Sequence, residues 1–213
     1  LVSVATNGSN PGSSISYDPA ISGDGRYVAF GTSASNLIAN DTNNAHDVLL
    51  RDLQTGTTSL VSVNLNGTGP GNQDSHSPAI SSDGRYVLFR SRASNLAPGT
   101  FSNENVFVRD LLSGVTYALT TSGTPAAAMT PDGRFVAFES AASNLVAGDS
   151  NGVDDVFVRE RGGGTSQESS GSGGAPSDGN SFGPSISPDG RYLAFESRAT
   201  NLVTGDTNGS KDV

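Results

Sequence analysis

The chain has 213 residues, a formal net charge of −9 and a hydrophobic content of 34%. This allows one large domain or two small ones with a core, and the acidic balance argues against nucleic acid as a partner, because a polyanion would be repelled. The absence of cysteine excludes a disulfide framework and thiolate chemistry. No apolar run approaches the ~18 residues of a membrane helix, so we expect no membrane span.

Four copies of one sequence pattern follow each other along the chain. Each copy contains an Asp-Gly pair, at positions 24–25, 83–84, 132–133 and 189–190, so that the pairs lie 59, 49 and 57 residues apart. A period of about 50 residues predicts a propeller or solenoid array, because each repeat is then one supersecondary unit that packs against the next.

Each copy begins with a short strand and a hairpin turn. The strand reads PAIS at 19–22 and 78–81 and PSIS at 184–187, small residues that suit an inner strand at a crowded axis. In the turn that follows, Asp accepts local backbone hydrogen bonds and Gly takes a positive φ. We therefore expect positive φ at Gly25, Gly84, Gly133 and Gly190.

Three further strands complete each copy. The second strand, RYVAF in the first copy, alternates so that Val28 and Phe30 share one face, and apolar residues on the other face predict burial on both sides. The third strand begins at Asp47, Asn105 and Asp155 in the first three copies. A turn then leads to a fourth strand, TTSLVSV or VTYALT. Four strands per copy make one propeller blade.

The third copy departs from this pattern in its last part. Residues 161–180, RGGGTSQESSGSGGAPSDGN, are dominated by Gly and Ser. Such composition is typical of flexible linkers. We expect a flexible insertion here in place of a fourth strand.

The repeated motif SPDGRYLAFES, followed by a DVFVR strand and a TG turn, resembles the WD40-like repeat of the TolB-type β-propellers. The resemblance covers nearly the whole chain and implies an all-β propeller of four-stranded antiparallel blades, with four repeats. Proteins of this kind range from periplasmic scaffolds to non-catalytic domains of peptidases, so the fold implies no single function. The chain opens on LVSV, a fourth-strand sequence, and stops at KDV, where a third strand begins. We expect residues 1–213 to form one propeller domain or a window of a longer one.

A carboxylate-rich loop follows the second strand in three copies. Oxygen side chains at relative positions 1, 3 and 7 are those a calcium ion would use, although position 5 is apolar or Ser and no distal Glu follows. The alternative is that Asp and Asn form Asx turns that shape the loop. The candidate calcium ligands are Asp41, Asn43 and Asp47, then Asp149, Asn151 and Asp155 beside Asp154, and then Asp206, Asn208 and Asp212.

Other candidate sites are few. His46 and His76 lie in non-equivalent loops, no GxSxG motif is present, and His76 beside Asp74 fits a solvated polar loop better than a catalytic base. We therefore predict no catalytic residue. Four N-x-S/T sequons occur, but about four are expected by chance in a chain this rich in Asn, Ser and Thr. These glycosylation candidates are Asn7, Asn40, Asn66 and Asn208.

Two functions from different classes remain open. The first is a secreted, cell-surface or periplasmic module that is non-catalytic and acts through protein partners or self-association, including as part of a larger array or filament. The second is the propeller domain of a hydrolase or lyase whose catalytic groups lie on one rim or in another domain. Asymmetry distinguishes them, because an enzyme needs a residue cluster that is unique to one blade and converges on the axis, whereas a scaffold shows interchangeable rims.

Overall fold

The sequence repeats fold into antiparallel sheets joined by short turns. The structure, a computed structural model, describes residues 1–120 and 126–213, and in this part of the chain the only helical segment is a three-residue 3-10 turn, Ser172–Gly174. The chain divides into two compact units, Leu1–Thr121 and Ser122–Val213.

The first unit contains two four-stranded sheets. In each sheet the strands lie in chain order and every neighbouring pair is antiparallel. The first sheet consists of β1 (Ser16–Ile21), β2 (Tyr27–Thr32), β3 (Asp47–Asp52) and β4 (Thr57–Leu60). The second consists of β5 (Ser75–Ile80), β6 (Tyr86–Ser91), β7 (Asn105–Asp110) and β8 (Val115–Ala118).

The second unit contains a four-stranded sheet and a two-stranded sheet. The four-stranded sheet consists of β9 (Ala127–Met129), β10 (Phe135–Ser140), β11 (Asp155–Glu160) and β12 (Thr165–Gln167), and β13 (Ser181–Ile186) pairs with β14 (Leu193–Ser197). Asp212 forms an isolated bridge with Ser197. This is the same pairing as that of Asp155 with Ser140 in the third repeat, where it joins the third strand to the second. The fourth repeat thus has its first two strands and the first pairing of a third.

The expectation that residues 161–180 replace a fourth strand is wrong. Strand β12 lies inside this stretch and pairs with β11 over Phe157↔Gln167 to Arg159↔Thr165. Gly162, with a φ of 78°, allows the tight turn that leads into it. The strand forms without an apolar pattern because its backbone completes the ladder and Thr165 accepts a hydrogen bond from the Arg159 guanidinium at 3.2 Å.

Burial on both faces of the second and third strands is confirmed. Val48, Phe89 and Phe107 are inaccessible to solvent in the first unit, and Phe138 and Phe157 are inaccessible in the second. The rings of Phe89 and Phe107 stack with centroids 5.7 Å apart. Each buried Phe contributes about 2–3 kcal/mol through apolar burial, so these two strands carry the core of each blade.

The hairpin turns have the predicted conformation. The four turn glycines have φ values of 72°, 72°, 66° and 70°, at Gly25, Gly84, Gly133 and Gly190. The hydroxyl of Ser22 donates to Asp24 Oδ1 at 2.5 Å, and the backbone N–H of Arg26 donates to the same oxygen at 3.0 Å. These two hydrogen bonds lower the pKa of Asp24. The same contacts recur in the other copies, so local chemistry defines the turn.

The opening LVSV segment has the local structure that follows a fourth strand. Val4 forms a bridge with Pro11, just as Val63, three residues after β4, forms one with Pro70. Residues 1–15 therefore correspond to residues 60–74 of the next repeat.

Candidate functional site

Three positions at one end of each sheet differ from repeat to repeat. The second position is the last but one residue of the second strand. The first position is the residue that faces it at the start of the first strand, and the third position is the residue that directly precedes the third strand. They share one edge because the first strand begins, the second ends and the third begins there. We call them the rim triplets: Tyr17, Gly31 and His46; His76, Arg90 and Glu104; Ala126, Glu139 and Asp154; and Phe182, Glu196 and Lys211.

In the first rim triplet, Tyr17 and His46 form an aromatic pair. Tyr17 Oη lies 2.5 Å from His46 Nδ1, and burial, together with the nearby Asp18 carboxylate, raises the pKa of Tyr17 to about 12. The phenol therefore stays protonated and can donate to the imidazole. Gly31 is required beneath the ring, because a Cβ there would lie 2.7 Å from a Tyr17 ring carbon.

The second rim triplet is a charged cluster around a buried carboxylate. The Glu104 side chain is 7% exposed, and its Oε1 lies 2.8 Å from His76 Nε2. The guanidiniums of Arg90 and the adjacent Arg92 each approach this carboxylate to 3.8 Å, which is beyond hydrogen-bond distance. Both arginines therefore neutralise Glu104 while keeping donors for other groups.

Sequence reasoning linked His76 to Asp74 and missed Glu104. In the structure Asp74 Oδ1 accepts the backbone N–H of His46 at 2.9 Å, whereas Glu104 faces His76 from 28 residues along the chain. The only sequence signal for Glu104 was its place directly before a third strand.

The third and fourth rim triplets, in the second unit, carry other charge patterns. Glu139 accepts the backbone N–H groups of Ala126 at 3.0 Å and Gly183 at 2.8 Å. In the fourth, Lys211 Nζ lies 2.7 Å from Glu196 Oε2 and 5.4 Å from the centroid of the Phe182 ring. The rims are therefore not interchangeable, although the frame that carries them repeats.

In the carboxylate loops each Asn forms an Asx turn. The Oδ1 atoms of Asn43, Asn151 and Asn208 accept the backbone N–H two residues later, at 3.0, 3.2 and 2.7 Å. Their amide nitrogens face the third-strand carboxylates of Asp47, Asp155 and Asp212, at 3.1, 2.8 and 3.2 Å. A bound cation would instead need the amide oxygen turned toward it.

The carboxylates of these loops are bound by the chain itself. Ser62 donates to Asp47 at 2.8 Å and Ser169 to Asp155 at 2.6 Å, both across the third and fourth strands. Asp206 accepts the backbone N–H of Asn208 at 3.3 Å. Burial raises the pKa of Asp41 and of Asp149, the latter also through the Asp155 charge.

Among the residues that the structure describes, no group of three or more His, Cys, Asp or Glu side chains is arranged to hold a metal ion. Calcium at the carboxylate loops stays a prediction.

The sequon asparagines, Asn7, Asn40, Asn66 and Asn208, are all exposed. Asn208 differs from the others because its amide nitrogen is hydrogen-bonded to both carboxylate oxygens of Asp212 at 3.2 Å. Accessibility alone does not single out a glycosylation site.

Over residues 1–120 and 126–213, no helix is long and apolar enough to cross a membrane.

When the chain is compared with known proteins, only solved structures match it. No protein-family model and no curated protein sequence matches the chain. Among solved structures, one from an analysis of two prolyl endopeptidases matches with a TM-score of 0.56 and 14% identity, over 86% of this chain and 26% of that one.

Two TolB structures match over more of their own length. A putative TolB from Agrobacterium tumefaciens has a TM-score of 0.52 and 17% identity, over 88% of this chain and 55% of that one. TolB from Acinetobacter baumannii has a TM-score of 0.51 and 19% identity, over 90% and 42%. The chain thus spans about half the length of the TolB chains that it matches. It has the fold of the TolB-like β-propellers, built from four-stranded antiparallel blades.

Proposed function

We propose that this chain is a non-catalytic interaction or structural module, which presents its rim triplets to protein partners or to further copies of itself. The observation that carries the proposal is the contrast between an unvarying frame and rims that differ in every blade. The rims are not interchangeable, as those of a uniform scaffold would be, but variation spread over all the blades suits recognition of a partner better than a single catalytic cluster does. A frame that only filled space would leave its rim positions free of specific contacts. Here the triplets are ordered by hydrogen bonds and ion pairs of different kinds in different blades.

The residues at the rims suit a binding surface. Arg92 is 58% exposed, and Arg90 is 36% exposed with donors that Glu104 does not use. Arg and aromatic residues are enriched at protein interfaces, since they combine a large contact area with directional hydrogen bonds. Prior ordering of Arg90 and Arg92 around Glu104 lowers the entropy lost on binding.

We further propose that the module acts outside the cytoplasm, as a secreted, cell-surface or periplasmic protein, alone or within a larger array or filament. Its support is the acidic, cysteine-free composition rich in Ser, Thr and Gly, together with the likeness to TolB. Cell fractionation of the source organism, followed by immunodetection of the chain, tests the location. Recovery with the cytoplasmic fraction alone would contradict it.

Site-specific photocrosslinking in the source organism tests the interaction role. A benzophenone amino acid at Arg92 or Lys211 lies at the rim, whereas the same group at Leu53 or Leu112 lies at the opposite end of the sheets, in exposed turns after the third strands. We expect discrete adducts from the rim positions and fewer from the control positions. Equal yields at both ends, or adducts from the control turns alone, would contradict the proposal.

The hydrolase or lyase alternative is favoured by one observation, the contact of His76 with both Ser77 and Glu104. That arrangement is confined to the second repeat, as a catalytic cluster would be.

A further inference from the structure

We infer that Ser77 is a nucleophile activated by His76, with Glu104 as the group that orients the imidazole. The inference develops the hydrolase alternative and replaces the non-catalytic part of the proposed function, whereas binding of partners at the rims does not depend on it. Its substrates would be activated carboxylic esters and related acyl compounds, which transfer an acyl group to a serine hydroxyl.

The three side chains form a continuous hydrogen-bonded series. Ser77 Oγ lies 3.0 Å from His76 Nδ1, and His76 Nε2 lies 2.8 Å from Glu104 Oε1. A nucleophile within hydrogen-bond reach of a base, with the base oriented by a third group, is the arrangement that activates a serine. Glu104 can act as the third group because it is nine-tenths buried and held among Arg90 and Arg92.

The buried carboxylate decides which imidazole nitrogen carries the proton. A carboxylate only accepts hydrogen bonds, so His76 Nε2 must donate to Glu104. In the neutral imidazole Nδ1 is then an acceptor, and the Ser77 hydroxyl can donate to it. This is the tautomer in which His76 can take the hydroxyl proton. The nitrogens have exchanged roles relative to the usual serine triad, since here Nδ1 faces the serine.

The backbone of strand β5 aims Ser77 at the imidazole. Strand β5 carries a bulge between His76 and Ala79, and Ser77 at the bulge has a φ of 51°. The same bulge recurs in β1 and β13, where the equivalent residues Asp18 and Gly183 have φ values of 48° and 63°. Bulges re-aim a side chain, and only the second repeat places a hydroxyl at this one.

Two neighbours shape the reaction at Ser77. Ser77 Oγ donates to Asp18 Oδ2 at 3.3 Å, so this carboxylate competes with His76 for the hydroxyl proton, although the contact with His76 Nδ1 is shorter at 3.0 Å. Pro78 follows the serine and has no N–H to stabilise an oxyanion. Arg90 lies directly opposite His76 in the strand pairing.

The acyl transfer balances with water as the only co-reactant. Ser77 Oγ forms a bond to the carbonyl carbon and its proton passes to His76 Nδ1, which gives that proton to the alcohol oxygen as the bond to the leaving alcohol breaks. Water then attacks the acyl-serine, His76 takes a proton from the water and returns it to Ser77 Oγ as the acyl–oxygen bond breaks, and the carboxylic acid leaves. Fluorophosphates follow the first step only and phosphorylate the serine, with a P–O bond formed, a P–F bond broken and fluoride released together with the hydroxyl proton.

Diisopropyl fluorophosphate is the probe for a test on the purified chain. After incubation, peptide mapping by mass spectrometry locates the adduct and its rate of formation. We expect one adduct, on Ser77. Ser77→Gly should lose it while keeping the fold, because Gly183 shows that glycine suits this position in the fourth repeat.

The base and a matched serine complete the test. His76→Gln should slow labelling about 100-fold, as loss of general-base catalysis does. Glu104→Gln should also slow it, because the amide can either donate to Nε2 or accept from it and no longer selects the tautomer. Ser14→Ala removes a hydroxyl that is hydrogen-bonded to the Ser33 hydroxyl at 2.8 Å, and it should leave labelling unchanged.

Several results would overturn the inference. These are no adduct on the folded wild-type chain, labelling spread over many serines, an unchanged rate in His76→Gln, or an adduct that persists on the same peptide in Ser77→Gly. None of them bears on rim photocrosslinking, so the failure of one proposal is distinguishable from the failure of the other.

Discussion

Asp47 shows how a single residue couples this fold to pH. It begins β3, is 1% exposed, and accepts hydrogen bonds from Ser62 and Asn43. Burial raises the pKa of Asp47 from 3.8 to about 7 despite these bonds. In the second repeat Asn105 occupies the equivalent position and accepts a bond from Thr120 at 3.3 Å, so an uncharged amide fits the same site.

Stability should therefore fall as Asp47 ionises. Because its pKa is higher in the folded than in the unfolded chain, the contribution is fully present below pH 3.8 and is lost as pH rises through about 7. We expect the wild type to lose up to about 3 kcal/mol of unfolding free energy between pH 5 and pH 8. Urea denaturation with a chelator present, at pH 5 and pH 8, measures it. Asp47→Asn should remove this part of the slope, and an equal slope in the variant would contradict the prediction.

Two turn glycines allow backbone conformation to be separated from packing. Gly25 and Gly84 both have a φ of 72°, but a Cβ on Gly25 meets nothing within 4 Å, whereas a Cβ on Gly84 would lie 2.3 Å from the Tyr27 ring of the preceding blade. The second glycine thus permits close approach between two sheets of the first unit.

The two Ala substitutions should differ accordingly. Gly25→Ala should cost about 1–2 kcal/mol of unfolding free energy, through the left-handed backbone alone. Gly84→Ala should cost roughly 1–3 kcal/mol more, because the Tyr27 ring must move. Chemical denaturation of both variants measures the difference. Equal costs would show that the Tyr27 ring does not pack on the turn as described.

At the scale of elements, the loops between second and third strands are shaped by Asx turns. Calcium binding by the loop of the third repeat, with Asp149, Asn151 and Asp155, remains a prediction that requires Asn151 to turn its amide oxygen inward. If calcium binds the folded state, the Tm should rise when calcium is added back after chelation. Asp149→Asn should abolish that rise, with Asp83→Asn, in a hairpin turn, as control. An unchanged Tm in the wild type would leave turn formation as the role of these residues.

The fourth strand of the third repeat shows where local sequence misleads. Thr165–Gln167 have no apolar pattern, and the surrounding Gly and Ser indicate a linker. The strand forms because β11 presents an unpaired edge whose backbone groups need partners. This requirement is tertiary, and composition does not reveal it.

At the scale of the whole molecule, we expect the frame to provide stability and assign specificity to the rims only as part of the proposed function. Phe89→Ala should cost about 3–5 kcal/mol of unfolding free energy, because it leaves a cavity in a fully buried core. Arg92→Ala, at an exposed rim position, should change stability by no more than about 0.5 kcal/mol. Denaturation of both variants measures this contrast. A large loss in Arg92→Ala would show that the rim also supports the fold.

The sequence by itself determined the blades of this protein. The repeat period, the alternation in RYVAF and the Asp-Gly turns all reflect interactions between residues that are close in the chain. The strand order and the positive φ of Gly25 therefore follow from local chemistry. Tertiary structure alone decided the contacts at the rims. Glu104 reaches His76, and Tyr17 reaches His46, across 28 and 29 residues of chain. Their meeting depends on bulges, loop paths and burial, which no local pattern encodes.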